Sequence, residues 1–137
     1  MVDHPVRGRF NGWVLAALDR YMHAKYAERK AALLADLPPV LLELGPGVGA
    51  NVRYYPPGTH LIAIEPNPHM HARLRHRAAG GGVTLELKAC SAEALDLPSD
   101  SVDFVFASLV LCSVADPYAV VAEVYRVLRP GGRFACL

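Results

Sequence analysis

VLLELGPGVGANVRYYPPGTHLIAIEP, Val40 to Pro66, holds two short apolar runs that end in different ways. The first, Val40 to Leu44, passes into glycines at every second position: Gly45, Gly47 and Gly49. The second, HLIAIE, closes on a lone carboxylate, Glu65. Apolar runs of this length, bounded by proline and glycine, suit strands buried on both faces. Glycine after a strand permits positive φ and lets a ligand lie against bare main chain. Amides opening the following helix then face that ligand. A carboxylate ending the neighbouring strand is placed to accept hydrogen bonds from the two hydroxyls of a ribose. The pair of strand ends therefore points to a nucleoside.

Outward from this stretch, strand and helix alternate. ANVRYY can form only a short helix before PPG turns the chain. Asn67 to Ala79 is helical in composition and stops at Gly80, Gly81 and Gly82. VTLELKAC alternates as a third strand, PSDS is a turn, and VDFVFASLVL is a fourth strand running into apolar loop. Asp116-Pro117 supplies an N-cap followed by proline at the first helical position. The helix it starts has Val120, Val121, Val124, Val127 and Leu128 as its buried stripe. RPGG breaks that helix, and RFACL opens a fifth strand that the chain barely enters. Upstream, Phe10 to Leu37 reads as a helix ended by Pro38 and Pro39, with Trp13, Tyr21 and Tyr26 as packing residues. The whole is an α/β chain with a doubly wound, Rossmann-like parallel sheet. Residues 1–39 form a helical segment packing on a single domain, 40–137.

Composition narrows the function. Apolar residues make up 53% of the 137 and charged residues 20%, a globular balance. A net charge of +1 gives no electrostatic reason to expect nucleic acid or an anionic membrane as partner. Cys90, Cys112 and Cys136 are far apart, which suggests reduced thiols in a cytoplasmic protein. No apolar run approaches a membrane span, and Asp3, His4 and Arg9 interrupt any signal peptide. His69, His71 and His76 do not align on one helical face and read as surface histidines, not metal ligands.

GPGVGA satisfies GxGxxG/A with Ala50 in the last place, and Glu65 stands at the distance expected of a dinucleotide fold, so the motif also fits NAD. Three features favour another cofactor. A long helix precedes the first strand. Glu43 lies inside an otherwise apolar strand, where a buried carboxylate needs a partner such as a cationic amino group on the ligand. The third feature is ACSAEALDLPSDSVDFVFASLVLCSVADPYAVVAEVYRVLRPGGRF, which together with LELGPGVGAN resembles the class I S-adenosylmethionine-dependent methyltransferases. The resemblance runs from Val40 to Leu137 with every motif in order. Within that superfamily GANVRYYPPG, IEPNPHM and LVLCSV are similar to the small alkyl-thiol S-methyltransferase group.

The resemblance implies S-adenosylmethionine as cofactor and a role for each matching residue. Gly45, Gly47 and Gly49 would pass under its methionine and ribose parts, and Glu43 would help hold the methionine amino group. Glu65 would bind the ribose hydroxyls, with Pro66 and Asn67 beside the adenosine. Ser91, Ala92 and Glu93 match the loop that reads the adenine edge, Ser91 standing where many relatives carry aspartate. Ser108 and Leu109 would touch the methionine end, and Cys112-Ser113 stands where ubiquinone-type relatives carry a histidine pair. From the residues alone, Glu43 and Asn51 divide evenly between ligand contact and structural hydrogen bond, and Cys112 reads as a small buried hydrophobe.

The implied activity is methyl transfer to a small-molecule acceptor, with a thiol as the candidate. Two alternatives stand beside it: a cofactor-binding remnant without turnover, and an NAD(P)-binding oxidoreductase domain. The class I fold has seven strands, so the chain is expected to be a fragment truncated in its fifth strand. Its incomplete sheet edge could otherwise pair with a second copy as a homodimer.

Overall fold

A computed structural model of the chain describes residue 21 and residues 25–137. Residues 25–33 are helical (α1). Residues 10–20 and 22–24 of the expected leading helix, Trp13 included, lie outside the described residues. The described helix stops short of Pro38 and Pro39: Leu34 closes the last turn by donating to the Lys30 carbonyl, then enters the core. Leu33 and Leu37 pack against the same cluster. Tyr21, expected to pack, is exposed.

Five strands form one parallel sheet: β1 (Val40–Leu44), β2 (His60–Ile64), β3 (Thr84–Lys88), β4 (Val102–Ala107) and β5 (Leu128–Cys136). Their order is β3-β2-β1-β4-β5, so the chain steps outward from β1 through β3, then returns to the other side of β1 with β4. That reversal opens a crevice at the carboxyl ends of β1 and β4. Residues alternate between faces with the strand period of two. Leu41, Leu61, Ala63, Phe104 and Phe106 meet Leu74 and Ala78 of α2 (Pro68–Gly80) on one side. Leu42, Leu44, Ile62, Ile64 and Val105 meet Val120, Val124 and Val127 of α3 (Pro117–Val127) on the other. The sheet is thus covered on both faces, as the alternation of elements requires.

Both helix starts follow from their capping residues. Asn67 accepts from the His69 amide, and Asp116 accepts from the amides of Tyr118 and Ala119; proline opens each helix. Val121, expected in the buried stripe of α3, is exposed, because Val120, Val124 and Val127 already follow the i, i+4, i+7 course and Val121 lies about 100° round the helix from it.

Two crossovers lack a full helix. Only a 3-10 turn, Val52–Tyr54, links β1 to β2. The connection from β3 to β4 is loop, and its Ala92, Leu95 and Leu97 cover the sheet where a helix otherwise would. Arg126 and Glu123 of α3 hold that loop. Arg126 donates to the carbonyls of Leu97 and Leu95 at 2.7 and 3.0 Å, and Glu123 accepts from the Leu95 amide at 2.6 Å.

The fifth strand differs from the reading that the chain barely enters it. It spans nine residues, and RPGG lies within it and not before it. Val102 pairs with Leu128 but Phe104 pairs with Arg133, so the residues between are accommodated as an irregularity on an edge strand, where proline and glycine are tolerated. Beyond it, the Leu137 amide donates to the Ala107 carbonyl at 3.0 Å. No helix among the described residues is long and apolar enough to cross a membrane.

Candidate ligand-binding site

The ends of β1 and β2 are adjacent because the strands pair in register to their last residues, Leu44 with Ile64. The Gly45 amide extends that ladder by one bond, to the Ile64 carbonyl at 2.8 Å. Gly45, Gly47 and Gly49 all adopt positive φ, of 59°, 57° and 84°. Their surroundings differ. A Cβ on Gly45 would meet Val110 Cγ2 at 2.6 Å, and one on Gly49 would meet Leu74 Cδ1 at 3.0 Å. A Cβ on Gly47 would meet nothing within 4 Å. The first and third glycines let the loop pack, whereas the second faces open space.

Glu65 binds that second glycine. Its Oε2 accepts the Gly47 amide at 2.9 Å, and its Oε1 accepts the Asn67 amide at 2.9 Å. The side chain is buried, yet each carboxylate oxygen has taken only one of these amides and retains capacity for another donor. Pro66 beside it is exposed, and Asn67 caps α2. His71, read as a surface residue, is half-buried and its Nε2 lies 2.7 Å from the Glu65 carbonyl; His69 and His76 are exposed. No three metal-ligating side chains gather among the described residues.

Glu43 lies on the α1–α2 face of β1, fully buried, and the chain itself supplies its partners. Asn51 Nδ2 donates to Oε1 at 2.6 Å and the Tyr55 hydroxyl donates to Oε2 at 2.7 Å. Burial pushes the Glu43 carboxyl up, against the lowering effect of the Asn51 and Tyr55 bonds and of the Lys30 charge. Burial, then the neighbouring Glu43 charge, pushes the Tyr55 phenol well up. Asn51 Oδ1 in turn accepts from Lys30 Nζ at 2.8 Å. Asn51 makes no side-chain cap to the 3-10 turn that follows it.

The loop after β3 brings Ser91, Ala92 and Glu93 to the same end of the sheet. Ala92 is buried in the α3-side core. Glu93 Oε1 accepts the amides of Ala115 and Asp116 at 2.7 and 2.9 Å, and Oε2 accepts the Ser91 hydroxyl at 3.1 Å. These bonds, the Asp116 amide first, then Ala115 and Ser91, hold its carboxyl below the ordinary range. Glu93 thereby ties the loop after β3 to the loop entering α3.

Ser108 and Leu109 leave β4 next to the crevice. Leu109 has a φ of 58° and an exposed side chain, and its amide donates to the Leu137 carbonyl at 2.9 Å. Cys112, expected to be buried, is exposed, its Sγ 3.4 Å from the Leu109 carbonyl. It lies in the turn that carries the chain from Leu109 towards α3, where few side chains surround it.

Sequence reasoning found both strand-end carboxylates and the glycine loop. It missed Lys30, Tyr55, Glu123 and Arg126; of these only Tyr55, twelve residues after Glu43, lies near enough in sequence for spacing to suggest it.

Comparison with known proteins bears on the same segments. Residues 42–136 match the methyltransferase domain family. The chain is 44% identical over 95 residues to the thiol S-methyltransferase TMT1B of Homo sapiens, a match covering 67% of this chain and 39% of that protein. To TMT1B of Rattus norvegicus it is 33% identical over 139 residues, 93% of this chain and 57% of the other. The matches thus cover between 39% and 57% of these curated relatives. Among solved structures, a SAM-dependent methyltransferase from Thermotoga maritima superposes with a TM-score of 0.66 at 28% identity, covering 89% of this chain and 54% of that one.

Proposed function

This chain belongs to the methyltransferase domain family, and from that premise we propose that it binds S-adenosylmethionine across Gly47 and Glu65 and serves methyl transfer to a small-molecule acceptor, a thiol. The observation that carries the reading is the 2.9 Å bond from the Gly47 amide to Glu65 Oε2. It joins bare main chain, open on its Cβ side, to a buried carboxylate with capacity to spare. Two vicinal hydroxyls of a ribose match that carboxylate. The family match favours S-adenosylmethionine over NAD, which the glycine motif alone fits equally.

When bound, S-adenosylmethionine supplies a methyl group already activated on a sulfonium. The chain's own residues then have to bind, align and keep out water. Glu65 would hold the ribose edge, and the Gly45–Gly49 main chain, shaped by its positive φ values, would border the rest of the ligand. Pro66 and Asn67 flank the nucleoside. The loop of Ser91, Ala92 and Glu93 would border the base, anchored by the buried Ala92 and by the bonds of Glu93 to the Ala115 and Asp116 amides. Ser108 and Leu109 border the reacting end. Glu43, wholly buried and bonded to Asn51 and Tyr55, would act on the ligand through the glycine loop.

The relatives named thiol S-methyltransferases support a thiol acceptor. A thiol with an ordinary pKa of about 8.5 is partly thiolate near neutrality and needs no strong base. That agrees with the short side chains of Ser108, Cys112 and Ser113 beyond β4.

Calorimetric titration with S-adenosylhomocysteine and, separately, NAD tests the cofactor. Saturable binding of the former and none of the latter is expected; the reverse would end the proposal. Transfer of a labelled methyl group to a small alkyl thiol then tests the acceptor.

A further inference from the structure

Four buried polar side chains form a continuous chain beneath the glycine loop. Lys30 Nζ of α1 donates to Asn51 Oδ1 at 2.8 Å, Asn51 Nδ2 donates to Glu43 Oε1 at 2.6 Å, and the Tyr55 hydroxyl donates to Glu43 Oε2 at 2.7 Å. Glu43 stands two residues before Gly45, and Asn51 two residues after Gly49. The chain of bonds therefore clamps both ends of the loop to each other and to α1.

The chemistry leaves Asn51 one orientation. An ammonium can only donate and a carboxylate can only accept, so the amide oxygen must face Lys30 and the amide nitrogen must face Glu43. No other side chain of that length offers an acceptor and a donor in fixed opposition. Aspartate would set a second carboxylate against Glu43, and leucine would remove both of the bonds that Asn51 makes. Burying an ammonium and a carboxylate is costly, and apolar side chains of similar volume often fill such a space more cheaply. The arrangement makes sense as a device that fixes one geometry.

We propose that Lys30 is a positioning residue for the ligand loop: by orienting Asn51 it fixes Glu43 and holds Gly45–Gly49 in the shape that offers the Gly47 amide to Glu65. The proposal rests on the methyl-donor reading for its ligand, while the loop geometry stands without it. Docking of α1 and formation of the site become one event. Lys30 itself never reaches the ligand.

The test compares Lys30→Met, Asn51→Asp, Glu43→Gln and the double variant Lys30→Met/Glu43→Gln with the unaltered chain. Two readouts are used: amide hydrogen exchange at Gly47 in the free protein, and affinity for S-adenosylhomocysteine. Lys30→Met should accelerate Gly47 exchange and weaken affinity, each roughly tenfold, as expected for losing a hydrogen bond to a charged group. The double variant, which removes both charges of the network together, should recover most of both losses, a non-additivity expected of residues in one network. Asn51→Asp keeps the side-chain volume but sets a second carboxylate against Glu43, so it should lose at least as much as Lys30→Met and tests the network if Lys30→Met does not fold.

Gly47 exchange and affinity both within about twofold of the unaltered chain, in whichever of these two variants folds, would overturn the proposal. So would Glu43→Gln losses that simply add to those of Lys30→Met, because Glu43 would then serve the ligand and not the loop. Failure of the unaltered chain to bind S-adenosylhomocysteine would sink the methyl-donor reading instead, with Gly47 exchange still deciding the role of Lys30.

Discussion

Gly47 donates its amide to Glu65 Oε2 at 2.9 Å, across 18 residues of sequence. The tip of the first loop and the end of the second strand are thus one unit in the free chain. Such preorganisation removes an ordering cost that binding would otherwise have to meet. The two carboxylates of the site divide the labour. Glu65 bonds the tip of the loop at Gly47, while the wholly buried Glu43 bonds Asn51 just past its end.

Glu65→Ala removes both the loop tether and the acceptor proposed for the ribose. Affinity for S-adenosylhomocysteine should fall tenfold or more, the effect of losing about 1.5–3 kcal/mol of hydrogen bonding to a charged group. Glu65→Gln keeps one acceptor oxygen and should fall between. Isothermal calorimetry reads both, and unchanged affinity in Glu65→Ala would mean that the ribose is held elsewhere.

Gly47→Ala and Gly49→Ala separate binding from folding. Each forces alanine into the left-handed region at about 1–2 kcal/mol. Gly49→Ala adds a methyl at 3.0 Å from Leu74 Cδ1 and 3.3 Å from Val52 Cγ2, so its melting temperature should drop further. Gly47→Ala meets no protein atom, and its methyl projects into the space proposed for the ligand. It should lose far more affinity per degree of melting temperature than Gly49→Ala, after affinity is measured on the folded fraction.

Much of this is legible in the sequence, and what is not has a common cause. Val40–Leu44 and His60–Ile64 are readable because a strand buried on both faces must be apolar throughout. Gly47 and Glu65 are readable because bare main chain at one strand end and a carboxylate at the next suit a ligand and contribute nothing to an apolar core. The partners of Glu43 are hidden. Lys30 reads as one more charge on a polar helix, and only the three-dimensional path of α1 brings it inside. The bonds of Glu93 to the main-chain amides of Ala115 and Asp116 are likewise hidden, since no sequence pattern marks them. RPGG carries a helix-stop signal that masks its place inside β5, since an irregular edge strand tolerates residues that a central strand would reject.

The acid limb of stability should report Glu93. Its folded-state carboxyl is held low by the Asp116 amide, then by Ala115 and Ser91. The stability it contributes is therefore complete above its unfolded value, about 4.3, and is lost as pH falls through the lower folded value. Melting temperature followed downward from pH 6 should fall more steeply for the unaltered chain than for Glu93→Gln. Glu43 carries the opposite sign, since burial raises it: its contribution is present below the unfolded value and lost as pH rises through the folded one. Parallel acid limbs for Glu93→Gln and the unaltered chain would show that its bonds to the α3 entry are not retained in solution.

Leu109 offers a test of whether backbone strain is kept for the site. A leucine at a φ of 58° costs about 1–2 kcal/mol relative to an ordinary conformation, and its side chain is too exposed to recover that by packing. The main chain around it is fixed instead, by the bond from its amide to the Leu137 carbonyl and by the Cys112 thiol on its own carbonyl. Its neighbour Val110 lies against Gly45, closely enough that a Cβ there would stand 2.6 Å from Val110 Cγ2. The shape of this turn is therefore transmitted to the first glycine of the ligand loop. Leu109→Gly removes the strain and should raise stability by up to about 1 kcal/mol. It also lets the turn sample other shapes, so affinity for S-adenosylhomocysteine should weaken at the same time. Thermal unfolding and calorimetry on the same variant decide the point. A gain in stability with affinity unchanged would make the left-handed leucine a feature of the turn alone, with no part in holding Gly45.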